Sequence, residues 1–202
     1  MNLSTTTDTE LWEALRNGNE AAFNAVYHRY FDRLYEYGMR LHYNNDLIQE
    51  VIQELFIKLW TNRATLSAAV NIRPYLLVSL RGAVYNKLRT GKVQVVAFDQ
   101  ETHDFRAHFS AESAYIKREQ LHEKQQQLLR ALHQLNARQK EVIYLRYFEE
   151  LDYESIADIM GITVKGVYKL SARALQSLRD IMQVSAAVLL SLLGSLRAPT
   201  MH

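Results

Sequence analysis

The 202-residue chain is predicted to be all-α, built as two small helical domains joined by a flexible linker. Three observations predict this. Prolines number only two and glycines seven, so long helices are permitted almost everywhere. Apolar residues recur at helical spacing through most of the chain. The period then lapses from Thr90 to about Ser113, and a connection of that length reads as a linker. The resulting division is a first domain over 8–90, a linker over 91–118, a second domain over 119–182 and a tail over 183–202.

The elements follow in order. Leu11 to Arg16 reads as a short helix. A longer one carries Phe23, Val26, Tyr27, Tyr30, Leu34, Tyr37 and Leu41 on one stripe, until Asn44-Asn45-Asp46 breaks it. A third, about Leu47 to Trp60, buries Ile48, Val51, Ile52, Leu55, Phe56 and Leu59 and turns Gln49, Glu50, Gln53 and Glu54 to the opposite face. After a turn region, Thr61 to Asn71, a fourth helix begins near Pro74, a residue suited to a first helical turn, and runs to about Arg89. Helices resume near Ala114. One carries Leu121, Leu128, Leu132 and Leu135, and the next spans Ala137 to Tyr147.

The most informative run is Tyr153 to Leu170. Ala157, Gly161 and Val167 fall at the spacing A-x3-G-x5-V, and Ile156, Met160, Ile162, Val167 and Leu170 fill the inward positions. This is the sequence form of a helix-turn-helix, whose second helix lies in the DNA major groove. Ala157 sits where the helices cross. Gly161 supplies the left-handed residue that ends the first helix without a Cβ clash. Asp152 and Thr163 are suited to cap the two helix starts. Helix geometry turns Lys165, Tyr168, Lys169 and Ala172 outward and places Thr163 and Arg173 for phosphate. The plain alternative is a helical hairpin with a solvated basic face.

Charge is sorted although the net value is only +2. Glu141 to Asp158 holds six acids and one base, and Ile159 to Arg179 four bases and no acid. Up to Glu54 there are nine acids and four bases, whereas Leu55 to Phe98 has seven bases and no acid. Two acid-free basic segments predict two surfaces that meet a polyanion. No cysteine occurs, which removes disulfides and thiolate chemistry and suits a reducing compartment. Met1 to Glu10 is polar and does not read as a signal peptide. The apolar stretch Val184 to Leu193 is too short to span a bilayer.

Together these motifs resemble the sigma-70 family of bacterial RNA polymerase sigma factors, in its extracytoplasmic-function (ECF) class, over about residues 8 to 182. Glu20 to Tyr30 is similar to region 2.1 of that family and Gln53 to Trp60 to region 2.2. Tyr75 to Arg89 resembles regions 2.3 and 2.4, Leu135 to Phe148 region 4.1, and Tyr153 to Arg179 region 4.2.

The resemblance implies a cytoplasmic protein that binds core RNA polymerase and directs promoter-specific initiation, with no enzymatic activity, cofactor, small-molecule substrate or membrane insertion. Gln49, Glu50, Gln53 and Glu54 would dock on polymerase. Arg63, Asn71, Arg73, Arg81, Asn86, Lys87 and Arg89 would hold the −10 element as single strand. Tyr75 reads as core rather than as a stacking platform. Thr163, Lys165, Tyr168, Lys169, Ala172 and Arg173 would read the −35 element as duplex. Departures are Gly82, where asparagine is usual, and Leu170, found in a subset associated with Bacteroidetes. The primary factors' extra N-terminal region and larger middle domain have no counterpart.

The ECF class implies an anti-sigma partner, and two readings of the tail Val184 to Leu196 stand. It packs on that partner, or it extends the last helix on its own domain. A rival to the whole reading is a two-domain helix-turn-helix regulator that acts without polymerase. It would not need the Gln53 to Trp60 motif or a second basic segment. An enzyme is disfavoured. His103 and His108 are the only close histidine pair, no third metal ligand is evident, and no phosphate-binding glycine loop or nucleophile motif is present.

Overall fold

A computed structural model describes residues 6–68, 71–90, 105 and 119–195. The chain divides into two compact units, Met1–Phe98 and Asp99–His202. Every regular element among the described residues is helical.

In the first unit, α1 (Asp8–Arg16), α2 (Glu20–Leu41), α3 (Asn45–Thr61) and α4 (Ile72–Thr90) each start where the sequence supplies a local reason. Thr7 and Glu10 form a reciprocal capping box on α1. Asn19 and Asn44 accept backbone N–H groups of Ala22 and Leu47, each at 3.0 Å. The break between α2 and α3 therefore ends at Asn44. Asn45 and Asp46, expected in the break, lie in the first turn of α3, where an acid favours the positive helix end. Pro74 sits in the first turn of α4, where its missing N–H removes no helical bond.

α2 is the central pillar of this unit and packs on α1, α3 and α4. Trp12, Leu34, Tyr37, Ile48, Ile52, Leu76 and Leu80 are fully buried between them. Gly38 permits the close approach of α2 to α3, since a Cβ there would lie 2.7 Å from Ile48 Cγ2. α1 secures the turn that follows α3. The Trp12 indole donates to the Ser67 carbonyl at 2.8 Å, and Arg16 Nε donates to the Leu66 carbonyl at 2.9 Å. On the other side of α1, Arg29 pairs with Asp8 at 2.8 Å and the Tyr30 hydroxyl donates to the same carboxylate. Burial first, then Asp8, push the Tyr30 phenol well above its usual range, against the opposing charges of Arg29 and Arg73.

In the second unit, α5 (Glu119–Gln134) and α6 (Ala137–Ile143) lead into a π-helical turn, Tyr144–Phe148. The sequence predicts one helix through Tyr147. The observed widening is bolted by buried groups: Tyr144 donates to Glu149 Oε1 at 2.8 Å and stacks on Phe148 at 5.9 Å. Phe105, which the sequence reading assigns to the linker, is buried and lies 5.8 Å from the Tyr144 ring. The rest of 91–118, including His103, His108 and the helix expected from Ala114 to Arg118, lies outside the described residues.

α7 (Tyr153–Met160) and α8 (Val164–Met182) complete the motif. Gln183 adopts a left-handed conformation and ends α8, and α9 (Ala186–Ser195) turns back to pack on α8 and α5 through Leu189, Leu192 and Leu193. The tail thus packs on its own domain, as a separate helix rather than as an extension of α8. No single helix among the described residues is long and apolar enough to cross a membrane. α8 and α9 together pass on length and composition, but they bend by 99° at their junction.

Candidate nucleic-acid and polymerase interfaces

The helix-turn-helix is built from local chemistry. Asp152 accepts the Ser155 N–H at 2.7 Å and caps α7. That backbone hydrogen bond, then the Ser155 side chain, hold its carboxyl below the usual range, against a smaller effect of burial. Gly161 ends α7 at φ 64° and ψ 39°, and the Ile162 N–H reaches back to the Ala157 carbonyl at 3.1 Å. Among the described residues an added Cβ at Gly161 would meet nothing within 4 Å, so it is the left-handed backbone that calls for glycine. Thr163 accepts the Gly166 N–H at 3.1 Å and caps α8. At Gly166 a Cβ would lie 3.3 Å from this capping oxygen.

α8 divides cleanly into two faces. Val167, Ser171, Ala174, Leu178 and Met182 are buried. Thr163, Lys165, Tyr168, Lys169, Ala172 and Arg173 are all exposed, so the six residues singled out from the sequence share one solvent-facing surface. No acid interrupts that surface before Asp180, beyond the reach of the first turns.

Two neighbours escaped the sequence reading. The Tyr168 ring lies 4.2 Å from that of Tyr153 on α7, tilted by 48°. The Arg146 guanidinium lies 4.9 Å over Tyr153 and donates to the Leu151 carbonyl at 2.7 Å. An aromatic residue directly after a helix cap was the available signal, but its partner 15 positions on depends on how α7 and α8 cross.

In the first unit, the groups proposed for polymerase and for DNA meet on one network. Gln49, Glu50 and Gln53 are exposed on α3, while Glu54 is half-buried. Lys87 of α4 contacts Glu50 at 2.7 Å and Glu54 at 2.8 Å. Glu50 and then Glu54 raise the Lys87 ammonium pKa, and Lys87 in turn lowers that of Glu54. Beside them a cleft of ≈ 450 Å³ opens between α3 and α4, lined in part by Glu54, Lys58, Tyr75, Ser79, Gly82 and Asn86. Gly82 leaves that wall open, with nothing among the described residues within 4 Å of where a Cβ would stand.

Arg63, Arg73, Arg81 and Arg89 lie outside the residues that line this cleft. Arg81 lies 4.6 Å over the Tyr85 ring, and Arg89 donates to Asn86 at 3.2 Å. Arg63 lies 4.3 Å over Trp60 and donates to that residue's carbonyl at 2.8 Å. Asn71 is exposed at the start of α4. The Arg73 charge acts on Tyr30 of α2, away from the Lys87 network. Tyr75, read as core, is half-buried. It meets Trp12 edge-on at 5.3 Å and also lines the cleft. Among the described residues no group of three or more histidines, aspartates or glutamates stands close enough to hold a metal.

A capped helix-turn-helix with a basic outer face, in a chain with a second all-helical unit, defines a DNA-binding protein of the transcription apparatus. Residues 26–93 match sigma-70 region 2 and residues 125–178 match sigma-70 region 4, together more than half of the chain. This protein belongs to the sigma-70 family of transcription initiation factors.

A similar protein is the ECF RNA polymerase sigma-E factor of Haemophilus influenzae, 27% identical over 182 residues that span 88% of this chain and 96% of that protein. Two solved structures share the fold. CnrH, in complex with the cytosolic domain of CnrY, aligns with a TM-score of 0.57 at 17% identity, over 87% of this chain and 97% of that one. The sigma factor RpoE, in complex with the anti-sigma factor NepR from Bartonella quintana, aligns with a TM-score of 0.58 at 21% identity, over 81% and 98%.

Proposed function

We propose that this protein binds core RNA polymerase and directs initiation at promoters it recognises through −10 and −35 elements. The observation that carries this reading is the presence of both sigma regions in one chain, the second with an uninterrupted exposed basic face on its recognition helix. Region 2, residues 8–90, takes polymerase on the α3 face of Gln49, Glu50, Gln53 and Glu54. It takes the separated −10 strand along α4 and the preceding turn, through Arg63, Asn71, Arg73, Arg81, Asn86, Lys87 and Arg89. The α3–α4 cleft suits an unstacked base, since Tyr75 offers it a ring, Ser79 and Asn86 polar groups and Lys58 a positive charge. Region 4, residues 119–182, lays α8 in the major groove, with Lys165, Tyr168, Lys169 and Ala172 toward bases and Thr163 and Arg173 toward phosphates.

Residues 91–118 serve as the tether. An anti-sigma factor controls the protein, by analogy with the sigma factor RpoE in its complex with the anti-sigma factor NepR. The protein works in the cytoplasm without a cofactor and belongs to the Bacteroidetes-like subset that carries leucine at position 170. Reconstitution with core polymerase tests the reading. The expected result is a stable complex and a transcript from a defined start. Failure of both sinks it. Tight duplex binding by the free protein, with no transcript, would favour the regulator alternative instead.

A further inference from the structure

We infer that Tyr153, backed by Arg146, is a positioning residue that holds Tyr168 in place for base discrimination at the −35 element. The inference rests on the reading of α8 as the helix that enters the major groove.

Tyr168 is the only aromatic on the outer face of α8, and it is 54% exposed. An exposed side chain usually samples several rotamers and loses that freedom on binding. Here its ring is already engaged by Tyr153 at 4.2 Å. Tyr153 is itself half-buried at the first position of α7, directly after the Asp152 cap. The Arg146 guanidinium lies over it at 4.9 Å, tied to the Leu151 carbonyl at 2.7 Å. The result is a three-member chain of contacts that begins in the turn before α7 and ends on the DNA-facing helix.

Two features assign Tyr153 an indirect role. Its surroundings are acidic, with Glu150, Asp152 and Glu154 all exposed, which disfavours direct phosphate contact. Moreover, Tyr153 lies against the Tyr168 ring, while Tyr168 as a whole stays 54% exposed. Duplex bases stay stacked and offer edges in the groove, so an edge-on phenol fits them better than a stacking face. Lys165 and Lys169 flank it as long flexible charges, so the pinned ring is the member of this face best suited to discriminate.

The test uses holoenzyme and a promoter duplex that the wild-type holoenzyme selects from a randomised pool. Discrimination is the ratio of affinities for that duplex and for versions substituted base by base in the −35 element. Tyr168→Ala is expected to lower discrimination about three- to tenfold at one or two adjacent positions. Tyr153→Ala and Tyr153→Leu, the latter keeping apolar bulk without a ring, should reproduce that loss at the same positions. Tyr153→Phe should restore it, and the Tyr153→Ala/Tyr168→Ala double variant should lose no more than either alone.

Wild-type discrimination in both Tyr153→Ala and Tyr153→Leu, or additive losses in the double variant, would overturn the inference while leaving the role of Tyr168 intact. An unchanged Tyr168→Ala variant would remove the reading of Tyr168 itself, and the inference with it. Arg146→Met, which removes the cation and keeps the stem, supplies a variant outside the hairpin. It should give a smaller loss at the same positions, and a loss elsewhere counts against the chain of contacts.

Discussion

Lys87 Nζ lies 2.8 Å from Glu54 Oε1, and the two residues sit 33 positions apart on different helices. A lysine proposed for promoter DNA and an acid proposed for polymerase therefore occupy each other in the free protein. Glu50 completes the clamp at 2.7 Å.

Removal of the acids should release Lys87 to nucleic acid. The Glu50→Gln/Glu54→Gln variant is expected to bind a random-sequence single-stranded 30-mer more tightly than wild type. The slope of log affinity against log salt should steepen by about 0.7, one further phosphate contact. Fluorescence anisotropy at several salt concentrations measures both. Lys87→Gln should bind more weakly. Equal slopes for all three proteins would show that Lys87 does not reach the strand. The same clamp predicts reciprocal coupling: a ligand that takes the acids strengthens the binding of one that takes Lys87.

The cap of α7 gives a pH signature. The Asp152 carboxyl is held below its ordinary value of 3.8, so its ionised form is favoured in the folded state. Its contribution to stability is therefore fully present above about pH 4 and is lost as pH falls through the depressed folded value. Asp152→Asn caps comparably without titrating, so its acid unfolding limb should be shallower than that of wild type. Asp152→Ala should lose roughly 1 kcal/mol at neutral pH. Urea denaturation between pH 3 and 7 reads these effects, and identical limbs for Asp and Asn would rule the linkage out.

Two glycines should respond differently to alanine. At Gly38 an added methyl would meet Ile48 Cγ2 at 2.7 Å inside the α2–α3 contact, an overpacking expected to cost about 1–3 kcal/mol. At Gly161 the space is open and the cost is conformational, roughly 1–2 kcal/mol for a left-handed alanine. Asparagine should therefore rescue position 161 but worsen position 38. Thermal unfolding of the four variants checks this, and a rescue at both positions would contradict the packing account.

Ser171 is buried on the inner face of α8, and its hydroxyl oxygen has no hydrogen-bond partner among the described residues. Ser171→Ala removes an unsatisfied polar atom and improves helix propensity, so a gain of about 1 kcal/mol is expected. A loss of stability in denaturant titrations would show that the hydroxyl finds a partner in solution.

Much of the fold was legible because its signals are local. Asp152, Gly161 and Thr163 each act within four residues of where they stand, and helical periodicity assigns inward faces without knowledge of what they pack against. The same local logic turned Lys165, Lys169 and Arg173 outward. It missed the π turn at Tyr144–Phe148, where the Tyr144–Glu149 hydrogen bond and buried packing outweigh a sequence that reads as continuous helix. It also missed the placement of Phe105, whose burial comes from a ring distant in sequence.

By itself the amino-acid sequence determined the helical class, the division into two domains, the caps and the sorting of charge onto faces. These follow from backbone preference and burial, which act over a few residues. Tertiary structure alone decided which side chains from different helices meet. Glu54 holds Lys87, Trp12 grips Ser67, and Tyr153 supports Tyr168 because helix crossings bring those side chains into register. Crossing angles arise from the packing of whole ridges of side chains, and no short window of sequence contains them.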